Sequence, residues 1–249
     1  MSAAVLLRPV ILTFGLLSLW QAVVWISGAP PYILPGPLAV GEVLIAKPAL
    51  LLRHGAVTAA EIVMGLTLGA LFGAISALTL SASRPARRWM MPVLVISQAL
   101  PVFALAPMLT LWLGYGMASK VAMATLIIYF PVTSAFYDGL RRTEPGWLDL
   151  ARTMGAGRFA VLRYVRLPAA LPAFGSGLRV AAAVAPIGAV VGEWVGSSAG
   201  LGYLMLNANA RMQVSTMFAA LVVLAAFSLI LFFVIDRGVK RLVRWQPDA

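Results

Sequence analysis

The chain has 249 residues, of which 61% are hydrophobic and only 11% charged, against about 25% charged in an ordinary soluble domain; with a mean hydropathy of +0.94 this excludes a soluble globular protein and points to a membrane protein. No cysteine is present, which excludes disulfides, thiol catalysis and thiolate metal sites, and one histidine, His54, is too few for a histidine metal site. The net charge of +11 is read as topology, since lysine and arginine mark the cytoplasmic side of a membrane, and not as a nucleic-acid footprint.

A spanning helix needs about 20 mostly apolar residues. Residues 9–26 carry no charge and predict a first span. Their apolar run is too long for a signal peptide and lacks a cleavage site, so the helix is retained. Residues 27–53 open proline-rich in "APPYILPGP" and turn helix-like over 38–52. That pattern predicts an extended link and then a short helix near the outer surface. The uncharged runs 62–80, 89–114 and 121–137 predict three more spans. A fifth, about 171–195, is interrupted by Arg179 and Glu193, and 217–235 makes the sixth. The expected fold is an all-α polytopic membrane protein with six transmembrane helices and one domain, residues 1–249.

With both termini inside, fourteen Lys and Arg fall on inner segments, beginning with Arg8. Four fall outside: Lys47, Arg53, Lys120 and Arg211. Arg179 lies near the inner end of the fifth span, where it can snorkel to the surface. This bias predicts cytoplasmic termini and puts the loop of about 141–168 in the cytoplasm. The run Arg237, Lys240, Arg241 and Arg244 forms one cationic stripe that anchors the last helix on anionic lipid.

Within the inner loop stands "DLARTMGAGRFAVLRYVRLP", residues 149–168. Trp147, Leu150, Ala151 and Met154, at i, i+3, i+4 and i+7, predict one apolar helix face. Gly155 can take the left-handed conformation that ends a helix. A second short helix fits 158–166, closed by Pro168. Such a helix–turn–helix either rests on lipid headgroups or docks on a partner protein.

Inside the spans, Gly65, Gly69 and Gly73 with Ala77, and Gly188, Gly192 and Gly196, form small-residue stripes that predict close helix packing. Pro101, Pro107, Pro131 and Pro186 are expected to interrupt helices, freeing carbonyls of the kind tolerated beside a wet cavity. Glu193 is an intramembrane acid about 21 Å along the helix from Arg179, too far to pair with it. It is read as lining or gating a path, the alternative being a structural acid bonded to neighbouring helices or the following loop. Gln98 and Pro101 are further path candidates, and Glu61 reads as a solvated helix end.

Three lysines, Lys47, Lys120 and Lys240, follow alanine, serine and valine. A P-loop, which needs Gly-Lys-Ser/Thr, is therefore excluded, and no nucleotide cofactor is expected. The sequence shows no histidine cluster and no paired-carboxylate site, so an enzyme is not expected. A secondary transporter would need several intramembrane charges or inverted repeats, and neither is apparent.

Asp149-Leu150-Ala151, then Gly155, then Val165-Arg166-Leu167-Pro168 resemble the cytoplasmic signature of permease subunits in binding-protein-dependent ABC importers, which reads Glu-Ala-Ala, three residues, Gly, nine residues, Ile-x-Leu-Pro. "LPGP", "ALPVFALAPMLTLWLGYG" and "GEWVGSSAGLGYLM" are similar to the nitrate/sulfonate/taurine branch. The resemblance implies a type I importer permease fold in the cell inner membrane. It implies a coupling helix, built on Asp149, Leu150, Ala151, Met154, Gly155, Leu167 and Pro168, that docks on a separate cytoplasmic ATPase. It further implies an extracytoplasmic solute-binding protein and a homodimer enclosing the path. The tail "GEWVGSSAGLGYLMLNANARMQ" looks most like permeases for thiamine-pyrimidine precursors, with sulfonate, taurine or nitrate as the alternative.

Overall fold

The computed structural model describes the backbone of residues 3–245 and the side chains of 11–245; the Arg8 side chain, counted above on the basic side, lies outside the described residues. Every regular element among them is helical: α1 (Ala3–Ser27), α2 (Pro37–Ala46), α3 (Pro48–Ala82), α4 (Arg84–Ala99), α5 (Val102–Leu113), α6 (Met117–Arg141), α7 (Pro145–Thr153), α8 (Arg158–Val161), a π-helical turn (Leu162–Arg166), α9 (Leu167–Trp194), α10 (Leu201–Ala210) and α11 (Val214–Leu242). Four helices are long and apolar enough to cross a membrane: α3, α6, the continuous Arg158–Trp194 and α11. The pair α4–α5 makes a fifth span if counted as one, and Ile11–Ser27 of α1 is a shorter apolar helix.

Prolines decide several boundaries, not always as expected. The helix expected over 38–52 stops at Lys47, whose backbone is pulled out of the helical region (φ −125°, ψ 44°) by Pro48 behind it. Residues from Pro48 onward belong instead to the 35-residue α3. The expected single span 89–114 is bent by 103° between α4 and α5, because Leu100 is extended ahead of Pro101. By contrast, α6 and α9 run unbroken through Pro131, Pro172 and Pro186. Tertiary packing on both sides holds those turns despite one missing N–H each.

Pro168 does not close a helix either. It sits in the first turn of α9, reached from α8 through the π turn. The wider turn inserts a residue and makes room for the proline ring, so the chain passes from the loop into the span as one rod.

At the centre α6 is wedged between α3 and α9. The two glycine stripes make this possible. A Cβ on Gly65 would stand 2.5 Å from the Ala124 Cβ, and one on Gly188 2.7 Å from the Ala124 Cα. The buried layer is rich in alanine, including Ala124, Ala181, Ala182, Ala185, Ala189, Ala219 and Ala220. Large apolar side chains such as Leu71, Phe72, Ile230 and Phe233 point outward. Small inside and large outside is the pattern expected where lipid, not water, surrounds the bundle.

Near the basic end of α11, Arg179 Nε lies 2.7 Å from Asp236 Oδ1, and Lys240 Nζ lies 3.0 Å from Asp236 Oδ2. Arg179 therefore joins α9 to α11 instead of reaching alone for the surface, and Lys240 is drawn out of the cationic stripe.

Candidate functional site

Two surfaces and one buried cluster carry the polar and shaped features of the fold. The first surface is built on α7. Pro145 opens this helix at its first turn and Gly155 closes it with φ +76°. The Gly155 N–H donates to Arg152 O and the Ala156 N–H to Ala151 O, each at 2.9 Å, the paired bonds of a glycine-terminated helix. The helix presents Trp147, Leu150 and Met154, which are 53%, 61% and 77% exposed. With Ala151, Tyr164, Val165, Pro168, Ala169, Pro172 and Trp245 they line an apolar groove of about 610 Å³. Asp149 lies outside the groove, paired with Arg152 at 2.9 Å where both are solvated. Leu167 packs under it, against the cluster around Leu140 and Ala170. Of the expected coupling residues, Leu150, Ala151, Met154 and Pro168 line the groove, Gly155 shapes it, and Asp149 and Leu167 flank it.

The second surface is a cavity of about 800 Å³ between α4, α5, α6 and α9, lined among others by Gln98, Leu105, Phe130, Ser134 and Val184. Ser97, Gln98 and Ser134 are the polar residues in its wall, and no charged side chain lines it. Ser97 gives its proton to Leu94 O at 2.7 Å, which leaves the Gln98 amide as the wall's versatile donor and acceptor. Pro101 is not in the wall. It makes the corner between Leu100 and Val102, which are. Pro131, which leaves the Ile127 carbonyl without its helical donor, and Ile127 are both among the lining residues.

Glu193 is elsewhere. It is 1% exposed, sits at the opposite end of α9 from the groove, and lies outside the lining of both the groove and the cavity. Its Oε1 accepts the Thr58 hydroxyl at 2.6 Å and its Oε2 accepts the Gly202 N–H. A carboxylate removed from water takes the donors in reach, and these donors come from α3 and the start of α10. Thr58 Oγ1 in turn accepts the Leu201 N–H at 2.7 Å, and His54 Nδ1 accepts the Gly200 N–H at 3.0 Å. Three side chains from α3 and α9 thus satisfy the free amides at the N-terminus of α10.

Two residues change character here. Glu61, read as a solvated end, is 1% exposed and in hydrogen-bond contact with Glu193, so the structure does assemble two carboxyl groups. Lys120, counted as an outer-loop charge, is 1% exposed. Its Nζ donates to the carbonyls of Tyr115, Gly116 and Gly196, the last two at 2.9 and 2.8 Å. One signal was available for the α3 side: His54, Thr58 and Glu61 stand at i, i+4 and i+7, a polar stripe on one helix face.

Comparison with known proteins agrees with this architecture. Residues 69–246 match the family described as binding-protein-dependent transport system inner membrane component. A probable ABC transporter permease protein of Haemophilus influenzae is 59% identical over 238 residues, 96% of this chain and 97% of the relative. The formylaminopyrimidine transport permease protein ThiX of Halalkalibacterium halodurans is 34% identical over 241 residues, 96% of each chain. The riboflavin transport system permease protein RibX of Chloroflexus aurantiacus is 38% identical over 235 residues, 94% of this chain and 88% of the relative. In fold, the chain superposes on a chain of the inward-facing MetNI methionine ABC transporter with a TM-score of 0.69 at 21% identity, covering 78% of this chain and 98% of that one. A bundle of long apolar helices with a short exposed helix between two of them, matched by family and fold along most of its length, is a transport subunit: the chain belongs to the binding-protein-dependent transport system inner membrane components and is the permease subunit of an ABC importer.

Proposed function

We infer that this permease forms the membrane path for an uncharged nitrogen heterocycle, a thiamine-pyrimidine precursor, and that a separate cytoplasmic ATPase drives it by seating on the α7 groove. The observation behind the substrate is the wall of the cavity between α4, α5, α6 and α9, which carries a glutamine amide, two serines and no charge. A sulfonate or nitrate anion is held by cationic or N–H-rich walls, and such a wall is absent from this surface. A pyrimidine amine needs an apolar slot with a few placed hydrogen-bonding groups. A second copy related by a twofold axis adds the same uncharged set, so a homodimer keeps the character of the wall. The naming of relatives for formylaminopyrimidine and riboflavin, both nitrogen heterocycles, points the same way.

The α7 groove supports the motor. Leu150 and Met154 are exposed apolar side chains on a short helix outside the long spans, and a partner protein that buries them removes that area from water. An extracytoplasmic binding protein delivers the solute, both termini face the cytoplasm, and lipid surrounds the outward Leu, Ile and Phe side chains. The test is uptake into lipid vesicles holding the permease with its ATPase and binding protein, with formylaminopyrimidine, riboflavin and taurine as competing solutes. Saturable, ATP-dependent uptake of the pyrimidine, unaffected by excess taurine, is the expected result. Preferred uptake of taurine overturns the substrate reading, and uptake without an ATPase overturns the coupling.

A further inference from the structure

We propose that Glu61 and Glu193 form a proton-sharing pair in which Glu61 is the neutral carboxylic acid and Glu193 the carboxylate that pins the start of α10. Hydrogen-bond accounting leads there. An ionised carboxylate accepts and cannot donate. Glu193 Oε1 receives the Thr58 hydroxyl at 2.6 Å, far closer than the His54 carbonyl at 3.3 Å that competes for the same proton, while Thr58 Oγ1 accepts the Leu201 N–H. Glu193 Oε2 receives the Gly202 N–H. Every identified partner of Glu193 on these bonds is a donor, so Glu193 is the acceptor, and a hydrogen bond between it and Glu61 needs a proton carried by Glu61.

The Glu61 carboxyl gives a second sign. Its Oε2 is buried and receives no hydrogen bond. A bare oxygen on a buried anion is far less favourable than one on a neutral acid. Charge balance agrees. The pair faces Lys120 from α6, and His54, about two turns back along α3, is committed to the Gly200 N–H through Nδ1. Lys120 spends its donors on three carbonyls and supplies one positive charge, which one carboxylate balances and two would exceed. The proton therefore lets α3, α6, α9 and α10 meet in a buried junction that is neutral overall.

The experiment replaces each acid by its neutral isostere in the complete permease–ATPase complex in lipid. Glu61→Gln copies the shape and the donor of a carboxylic acid, so assembled complex and uptake per complex should stay within about twofold of the unchanged chain. The infrared band of a protonated buried carboxyl should be present in the unchanged chain and absent in Glu61→Gln. Glu193→Gln removes the acceptor of several donors and should lower assembly or uptake by more than about tenfold. The proposal is overturned by a protonated-carboxyl band that survives Glu61→Gln, by absence of that band in the unchanged chain, or by loss of the complex in Glu61→Gln. Tolerance of Glu193→Gln alongside failure of Glu61→Gln would reverse the two roles and overturn it equally.

Discussion

The Thr58 hydroxyl donates to Glu193 Oε1 at 2.6 Å while accepting the Leu201 N–H at 2.7 Å, so one side chain on α3 ties the end of α9 to the beginning of α10. These two bonds are fully buried, unlike the longer contact of the same hydroxyl with the His54 carbonyl at 3.3 Å. Thr58→Val keeps the volume and deletes both, leaving one amide and one carboxylate oxygen short of a partner. A loss of about 2–4 kcal/mol is expected, since each unsatisfied buried group forfeits roughly 1–3 kcal/mol. Thr58→Ser should recover most of it. Thermal unfolding of the two variants in the same lipid measures the difference, and equal midpoints for Val and Ser would rule the relay out.

Glycine packing predicts a graded series. At Gly188 a Cβ meets backbone, the Ala124 Cα at 2.7 Å, whereas at Gly175 it meets the Val239 Cγ1 tip, and at Gly41 it meets nothing within 4 Å. A side-chain tip can rotate away, but a helix backbone has to move as a rod. Gly188→Ala should therefore lower stability by about 1–3 kcal/mol, the range for overpacking. Gly41→Ala should leave it unchanged or raise it slightly, because it removes freedom from the unfolded chain. Denaturation midpoints of the two variants check the order.

Gly155 isolates a backbone effect. Its φ is +76° and a Cβ there would touch nothing within 4 Å, so any penalty for alanine comes from the left-handed conformation alone, about 1–2 kcal/mol. Gly155→Asn should be milder than Gly155→Ala, and Gly155→Val worse than both, because β-branching is poorly tolerated there. If α7 is the ATPase seat, ATPase co-purification should fall in the same order while membrane insertion stays constant. Full retention with valine would separate the groove from the motor.

What could be read beforehand divides along physical lines. Local chemistry was legible: the glycine stop at Gly155, the apolar face through Leu150 and Met154, and the close-packing stripe at Gly65, Gly69 and Gly73. Each depends on spacing within one helix. The prolines were not separable in this way. Pro101 breaks the chain and Pro131 does not, although both lack the same N–H, because neighbours on two sides hold α6 and the α4–α5 corner has fewer. Partners distant along the chain were illegible for a similar reason. Glu193 meets Thr58 across 135 residues and Arg179 meets Asp236 across 57, so the bonds of an acid read as lining or gating a path were not visible in its own helix. Lys120 looked like a loop charge because it follows "GYGMAS", with its two glycines, yet its ammonium is enclosed by carbonyls.

Membrane orientation gives the last test, and the structure sharpens the choice of positions. The chain has no cysteine, so each introduced thiol reports alone. Ser119 is unsuitable because it is 3% exposed, whereas its neighbour Ala118 is exposed at the α5–α6 corner. Ser198, in the loop between α9 and α10, and Ser27, at the end of α1, are exposed as well. With the basic segments inside, Ser27→Cys, Ala118→Cys and Ser198→Cys should react with an impermeant thiol reagent added to intact cells. Arg84→Cys, at the start of α4, and Ala156→Cys, beside the α7 groove, should react only after the membrane is opened. The two groups lie at opposite ends of the bundle because Arg158–Trp194 runs as one helix of 37 residues between the groove and the Ser198 loop, about 55 Å at 1.5 Å per residue. That length exceeds the roughly 30 Å hydrocarbon core, so both ends cannot lie in one leaflet unless the helix is laid flat. Labelling of Ala156→Cys from outside would place the groove away from the ATP-containing compartment and overturn both the orientation and the docking of an ATPase there.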